Sequence, residues 1–161
     1  MSEIIVVAHN IRSTHNIGSI FRTCEGFGVS KLIISGYSPY PKLKNETRLP
    51  HIYNKLTDQI HKSALGAELL VNFEHTEIPD IDYYKSEGYE IIALEQASNS
   101  IDLRKFKPSP KIVLFLGEEV NGISKELIEK CDKIIEIQMS GKKESFNVSV
   151  ATGIALYQMS I

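Results

Sequence analysis

The sequence predicts an open α/β fold, a parallel sheet with helices on both faces. Three observations predict it. Short apolar runs rich in β-branched residues recur along the 161 residues. Those runs are apolar throughout rather than alternating, which is how strands buried on both faces read. Stretches with helical spacing separate them, so strand and helix alternate and right-handed crossovers follow.

Taken in order, strands are expected at residues 3–8, 31–35, 68–73, 90–94, 112–116 and 133–137. Helices are expected at 16–27, 56–65, 81–87, 124–131 and 147–159. The first helix places Ile17, Ile20, Phe21 and Cys24 on one face. Two stretches break the alternation. Residues 36–50 carry Pro39, Pro41 and Pro50 among tyrosines and lysines and read as a long exposed loop. Residues 98–110, closed by Pro108 and Pro110, read as a second.

The length suits one domain, residues 1–161. No apolar run is long enough to span a bilayer, and the first residues show no leader pattern. Cys24 and Cys131 lie far apart without metal spacing, so free thiols in a cytoplasmic protein are expected. The net charge is −2, which argues against nonspecific coating of nucleic acid. Residues 31–62 nevertheless hold six Lys or Arg against two acids, with His51 and His61 among them. That strip fits either a phosphate-bearing partner or a solvated loop.

Several chemistries have no motif. Gly26-Phe27-Gly28 lacks a third glycine and precedes a strand, the wrong context for a dinucleotide site. Gly141-Lys142-Lys143 lacks the remainder of a P-loop. The five histidines form no metal spacing, and no metal is expected.

Three polar segments remain. Asn10-Ile11-Arg12-Ser13-Thr14-His15-Asn16 leads from a strand into a helix that carries Arg22. Ligands of open α/β sheets bind outside such strand ends, although Asn16 also reads as a helix cap. Leu116-Gly117-Glu118-Glu119-Val120-Asn121-Gly122 follows a buried strand, with Ser124 as a cap. It reads as a tight turn or as an acid pair holding an arginine. Ser140-Gly141-Lys142-Lys143-Glu144-Ser145-Phe146-Asn147 opens the last helix, whose free N–H groups suit carboxylate or hydroxyl ligands. Together they imply a pocket at the strand ends suited to group transfer by positioning.

In this order and separation the segments resemble the three motifs of the SpoU–TrmH family of RNA ribose 2′-O-methyltransferases, within the SPOUT superfamily. The resemblance spans nearly the whole chain. It implies a Rossmann-like sheet ending in a deep trefoil knot over roughly residues 94–161, with S-adenosylmethionine bent inside. General topology makes knots very rare; this expectation comes from the motifs alone. Carried over by position, Arg22, Asn16, Glu119, Ser145 and Asn147 match catalytic residues. Leu94, Gly117, Ile137, Met139 and Phe146 match cofactor-binding positions that act largely through backbone. The resemblance also implies tRNA or rRNA as substrate and a homodimer that uses residues 147–161. Relatives often carry a separate RNA-binding domain; this chain reads as a minimal version without one. Gln138 stands where relatives often have proline. Arg12, Lys42, Lys44 and Arg48 are the candidate RNA contacts, with Tyr37 and Tyr40 as candidate base stackers. A cofactor- or RNA-binding module without catalysis is the alternative, against which the intact set of Arg22, Glu119, Ser145 and Asn147 stands.

Overall fold

The computed structural model describes residues 2–160; Met1 and Ile161, the ends of the expected domain, lie outside the described residues. Among the described residues seven strands form one sheet, paired in parallel throughout, in the order β3-β2-β1-β6-β4-β7-β5. The strands are β1 (Glu3–His9), β2 (Lys31–Ser35), β3 (Phe73–Thr76), β4 (Glu90–Leu94), β5 (Ile101–Asp102), β6 (Lys111–Leu116) and β7 (Lys133–Glu136). The helices are α1 (Thr14–Gly26), α2 (Pro50–Ala64), α3 (Ile81–Ser86), α4 (Lys125–Lys130) and α5 (Val148–Ser160).

Because successive strand residues point to opposite faces, the apolar runs feed two cores. Val6, Ala8, Leu32, Ile34, Ile112 and Leu114 join Ile17, Phe21, Ile60 and Leu156 from α1, α2 and α5 on one face. Val7, Ile33, Ile91, Val113 and Phe115 join Ile81, Tyr84 and Leu127 from α3 and α4 on the other. The expectation of helices on both faces holds, as do five of the six strands.

Three expectations are corrected. The strand expected at 68–73 is not one. Ala67–Leu69 is a 3-10 turn, and its Glu68 is buried where it accepts the Gly66 N–H at 2.9 Å. The strand comes later, at Phe73–Thr76, where Phe73 alone packs against the core. The helix expected at 56–65 begins six residues earlier. Pro50 occupies its first turn, where a missing N–H costs nothing. The loop at 98–110 contains the two-residue β5 and a 3-10 turn, Leu103–Lys105, capped by Asp102. The Arg104 hydrogen bond lowers the Asp102 carboxyl to about 2.

Burial raises both thiols, Cys24 strongly and Cys131 to about 11. Both are free. Among the described residues no helix is long and apolar enough to cross a membrane, and no group of three or more His, Cys, Asp or Glu could hold a metal.

The α1–α2 packing rests on Gly18. A Cβ there would lie 2.3 Å from the Ile60 carbonyl oxygen and 2.9 Å from the Ala64 nitrogen, both backbone atoms. Alanine would gain about 1 kcal/mol in helix propensity, and the overlap outweighs it. Gly18→Ala is expected to lose about 1–3 kcal/mol. That would appear as a fall of several degrees in thermal midpoint, at about 2–4 °C per kcal/mol for a chain of this size.

Candidate active site at the strand ends

β1, β6, β4 and β7 are consecutive neighbours in the sheet and run the same way. Their carboxyl ends therefore share one edge, and the segments that follow them meet there. A cavity of about 460 Å³ opens at this edge, lined by residues 94–96, 116–120, 136–137 and 144–148 among others. Four of the five expected cofactor positions line it: Leu94, Gly117, Ile137 and Phe146. Met139 lies on the β7–α5 loop outside the lining.

Gly117 is fixed by a close approach. The loop after β6 doubles back through reciprocal backbone bonds between Glu118 and Gly122, at 3.2 and 2.9 Å. A Cβ on Gly117 would stand 2.6 Å from the Ile123 nitrogen. The loop folds back on Gly117 too closely for any side chain, and Gly117 lines the cavity with backbone alone.

One hydrogen-bonded relay joins the three motif segments. Ser13, not Asn16, caps α1, accepting the Asn16 N–H at 3.1 Å. The Asn16 side chain is thereby released, and its Nδ2 donates to Glu119 Oε1 at 3.0 Å. Asn147 Nδ2 donates to Asn16 Oδ1 at 3.1 Å. Asn147 Oδ1 accepts the Ser149 N–H at 2.9 Å and its hydroxyl at 2.6 Å, which caps α5. A carboxylate only accepts. The donor order along the relay is therefore dictated from the Glu119 end.

Both acids face Arg12, and Glu119 Oε2 accepts its backbone N–H at 3.5 Å. Glu118, with a side chain only 10% exposed, sits 3.0 Å from the Arg12 guanidinium, while Glu119 belongs to the relay. Ser145 is exposed on the cavity rim. Arg22 is exposed on α1 and is not among the cavity-lining residues.

The basic strip is less available than its composition suggests. Arg48 donates to both Glu46 oxygens, at 2.8 and 2.7 Å, and to the carbonyls of Tyr40 and Pro41 at 3.0 Å. The Arg48 bond holds the Glu46 carboxyl well below the usual carboxylate range. Arg48 therefore clamps the proline loop instead of lying open on its surface. The Lys42 ammonium lies 5.1 Å from the Tyr53 ring centroid. Arg12 and Lys44 are exposed.

Sequence reasoning missed Glu95. Its carboxylate lines the cavity and accepts the N–H groups of Ile123 at 3.1 Å and Gln96 at 2.9 Å, which pins the loop after β6 to the end of β4. An acid directly after a strand carries no spacing signal. Only the adjacency of β4 and β6 reveals it.

The relay predicts coupling. Asn147→Ala is expected to cost about 1 kcal/mol as a lost cap. Asn16→Ala and Asn147→Ala combined should depart from additivity by about 0.5–3 kcal/mol in urea unfolding, since they share one network. Additive losses would mean that the relay does not act as a unit.

Comparison with known proteins places this geometry. Residues 3–157 match the model of the SpoU rRNA Methylase family. The chain is 32% identical over 156 residues to the tRNA (guanosine(18)-2'-O)-methyltransferase of Aquifex aeolicus (strain VF5), covering 97% of this chain and 68% of that protein. The crystal structure of an A. aeolicus TrmH/SpoU tRNA modifying enzyme superposes with a TM-score of 0.80 at 30% identity, over 99% of this chain and 75% of that one. An AdoMet-bound rRNA methyltransferase from Sinorhizobium meliloti gives a TM-score of 0.78 at 24% identity, over 97% and 55%, and is like this chain in fold. This chain thus spans between about half and three quarters of the length of these relatives. On the family match, and on three motifs brought to one sheet edge, the chain belongs to the SpoU rRNA methylase family.

Proposed function

We propose that the chain is an RNA methyltransferase that moves a methyl group from S-adenosylmethionine to a ribose 2′-hydroxyl. The observation that carries the reading is the Glu119–Asn16–Asn147–Ser149 relay at the wall of the cavity. It ties three distant segments into one polar surface next to bare backbone, as group transfer by positioning requires.

The cavity suits the cofactor. Leu94, Leu116, Ile137 and Val148 offer apolar walls for a purine, and Gly117 exposes backbone groups. Phe146, 41% exposed, stands at the opening and limits water. When bound, S-adenosylmethionine supplies a methyl group already activated on a sulfonium. The residues of the chain then align donor and acceptor, which is worth up to about 7–11 kcal/mol. Glu119, Asn16 and Asn147 hold the acceptor side of the cavity in one shape, and the Ser145 hydroxyl faces the incoming ribose.

Arg22 acts as a cation. Arginine is effectively always protonated in proteins, so a general-base role would first have to remove a charge that a cationic role uses. A charged Arg22 grips a phosphate and stabilises oxyanion character at the 2′-oxygen, while phosphate or water takes the proton. Arg12, Lys42 and Lys44 give further phosphate contacts. The Aquifex relative is named for guanosine 18 of tRNA, which makes tRNA the first substrate to assay ahead of rRNA.

The same reading includes a single catalytic domain in the cytoplasm, a trefoil knot and a homodimer. Two features support the knot. Gln96 Nε2 reaches the Glu144 carbonyl at 2.5 Å, so the loop before α5 lies against the segment after β4. α5 then packs on α1, far from its own strand in sequence. The dimer is supported by an exposed apolar stripe. Phe146, Val150, Ile154 and Tyr157 recur at helical spacing, and Phe27 meets Tyr157 edge to face at 6.5 Å. Thr23, the neighbour of Arg22, faces Gly153 of α5. A partner docked on this stripe would bring Arg22 to a shared site.

Tritiated cofactor with total RNA tests the activity. Arg22→Ala should lower methyl transfer at least about 100-fold, the scale of a lost charge stabiliser, while calorimetry finds cofactor affinity unchanged. Full single-turnover activity in Arg22→Ala removes Arg22 from the chemistry. Val150→Asp with Ile154→Lys should shift the protein to a monomer in light scattering and abolish turnover. A variant that stays dimeric sinks the α5 interface.

A further inference from the structure

A second cleft, of about 640 Å³, opens beside the first at the ends of β1, β2 and β3. Arg12 stands between the two. Its guanidinium lies 3.0 Å from Glu118 on the first cavity's wall and 5.8 Å from the centroid of the Tyr37 ring in the second. We propose that this second cleft takes an unpaired base of the substrate RNA, stacked on Tyr37, within one nucleotide of the methylated ribose. The inference rests on the methyltransferase reading and names the substrate contact that the first cavity lacks.

Tyr37 is an exposed ring on an immobilised backbone. The ring is 53% exposed. Its N–H donates to Asn10 Oδ1 at 3.1 Å, and Asn10 itself holds the left-handed conformation at φ 54°. Gly36, at φ 64°, donates to the Thr76 and Glu77 carbonyls at 3.1 and 3.2 Å. On the other side buried Ser38 accepts the Ile11 N–H at 2.8 Å and donates to the Ala8 carbonyl at 3.0 Å. Three strand ends are thus spent on fixing one turn whose central ring is left in solvent. A rigid platform gives up little conformational freedom when a ligand stacks on it.

Tyr40, the other expected stacker, is already occupied. It lies between the His75 ring, at 3.9 Å and 16° interplanar angle, and the Arg48 guanidinium, 3.6 Å from its centroid. That closed stack, locked by Glu46, forms a wall of the cleft rather than a platform. Ser13, Thr14, Gln59 and Glu77 supply donors and acceptors along the lining. Arg12, with a side chain 66% exposed although paired with Glu118, is the cation at the border with the reaction site. A flat open ring, a polar rim and a cation toward the ribose chemistry match a nucleobase and its phosphate. The volume lies within the usual range for small-ligand sites.

The test uses the full chain and two probes. A fluorescein-labelled single-stranded RNA decamer, followed by anisotropy, reads binding without catalysis. Tritiated S-adenosylmethionine with total RNA reads KM and kcat. Tyr37→Ala should weaken decamer binding and raise the RNA KM by about 5- to 100-fold, the scale of one lost base–aromatic stack. Tyr37→Phe should stay within about threefold, because the ring face is kept. Cofactor affinity by calorimetry should not move in either variant, since Tyr37 is outside the first cavity. Unchanged decamer affinity and RNA KM in Tyr37→Ala overturn the proposal. So does wild-type protein that binds free nucleoside monophosphates as tightly as the decamer, which would make the cleft a nucleotide site. Loss of methyl transfer by the wild type would instead fail the methyltransferase reading, and the decamer arm would still decide the cleft.

Discussion

The parallel pairing of β6 between β1 and β4 is the constraint on which everything else depends. Lys111–Leu116 bonds to β1 along six residue pairs and to β4 along five, and its five apolar side chains are buried on both faces. Strand groups that deep must find backbone partners, because an unpaired buried N–H or carbonyl costs about 1–3 kcal/mol. β6 therefore has no alternative place in the sheet. Once it is there, the turn after Leu116 must emerge between the turn after β1 and the turn after β4. The acids of the second segment land beside Arg12 and Asn16 of the first, and Glu95 after β4 holds the same loop through the Ile123 N–H. Adjacent β7 then brings the last segment to the same edge. The site is a consequence of strand order, with chain distances of more than a hundred residues closed by backbone hydrogen bonds far from the chemistry.

Within the site, burial sorts two adjacent carboxylates into different tasks. Glu118 is nearly enclosed and takes an arginine. Glu119 is exposed and takes an amide. A charge near a low-dielectric wall needs a charged partner, whereas a solvated one can accept a neutral donor. The consequence reaches α5: because Glu119 can only accept, Asn16 must turn its oxygen toward Asn147, and Asn147 must turn its own oxygen to the helix start. The acid fixes the helix cap two residues of relay away. Arg22 stands outside this arrangement as an exposed cation further along α1.

Much of this was legible in the sequence, and what was not has physical causes. Buried strands announce themselves because both faces are apolar, and so β1, β2, β4, β6 and β7 could be read within a residue or two. β3 could not. Phe73-Glu74-His75-Thr76 is an edge strand with one covered face, and the more apolar residues before it go instead to a 3-10 turn that buries Glu68. The start of α2 was hidden by Leu49, which has no capping side chain, and by Pro50, which reads as a breaker unless it falls in the first turn. The three polar segments were visible as excess polarity. Their meeting was not, because strand order is absent from periodicity. The same holds for Glu95, and for the cap exchange in which Ser13 frees Asn16.

The proline loop shows how composition can mislead about charge while preserving its use. Of the cations in residues 31–62, Arg48 is tied to Glu46 and Lys31 to Glu74, and Lys42 lies over Tyr53. Two of the six cations are thus ion-paired, which lowers what the strip can gain from counterion release on a polyanion, since each paired cation displaces fewer counterions. What the pairing gives instead is rigidity. The Glu46–Arg48 clamp closes on the Tyr40 and Pro41 carbonyls and packs Arg48 against Tyr40 and Tyr40 against His75, at the end of β3. A fourteen-residue loop, between Ser35 and Pro50, that would otherwise pay a large entropic cost on binding becomes a wall. On the methyltransferase reading, selection among RNAs would draw on shape and stacking at the sheet edge, where this fold places the exposed Tyr37 ring, the Glu118-paired Arg12 and the relay.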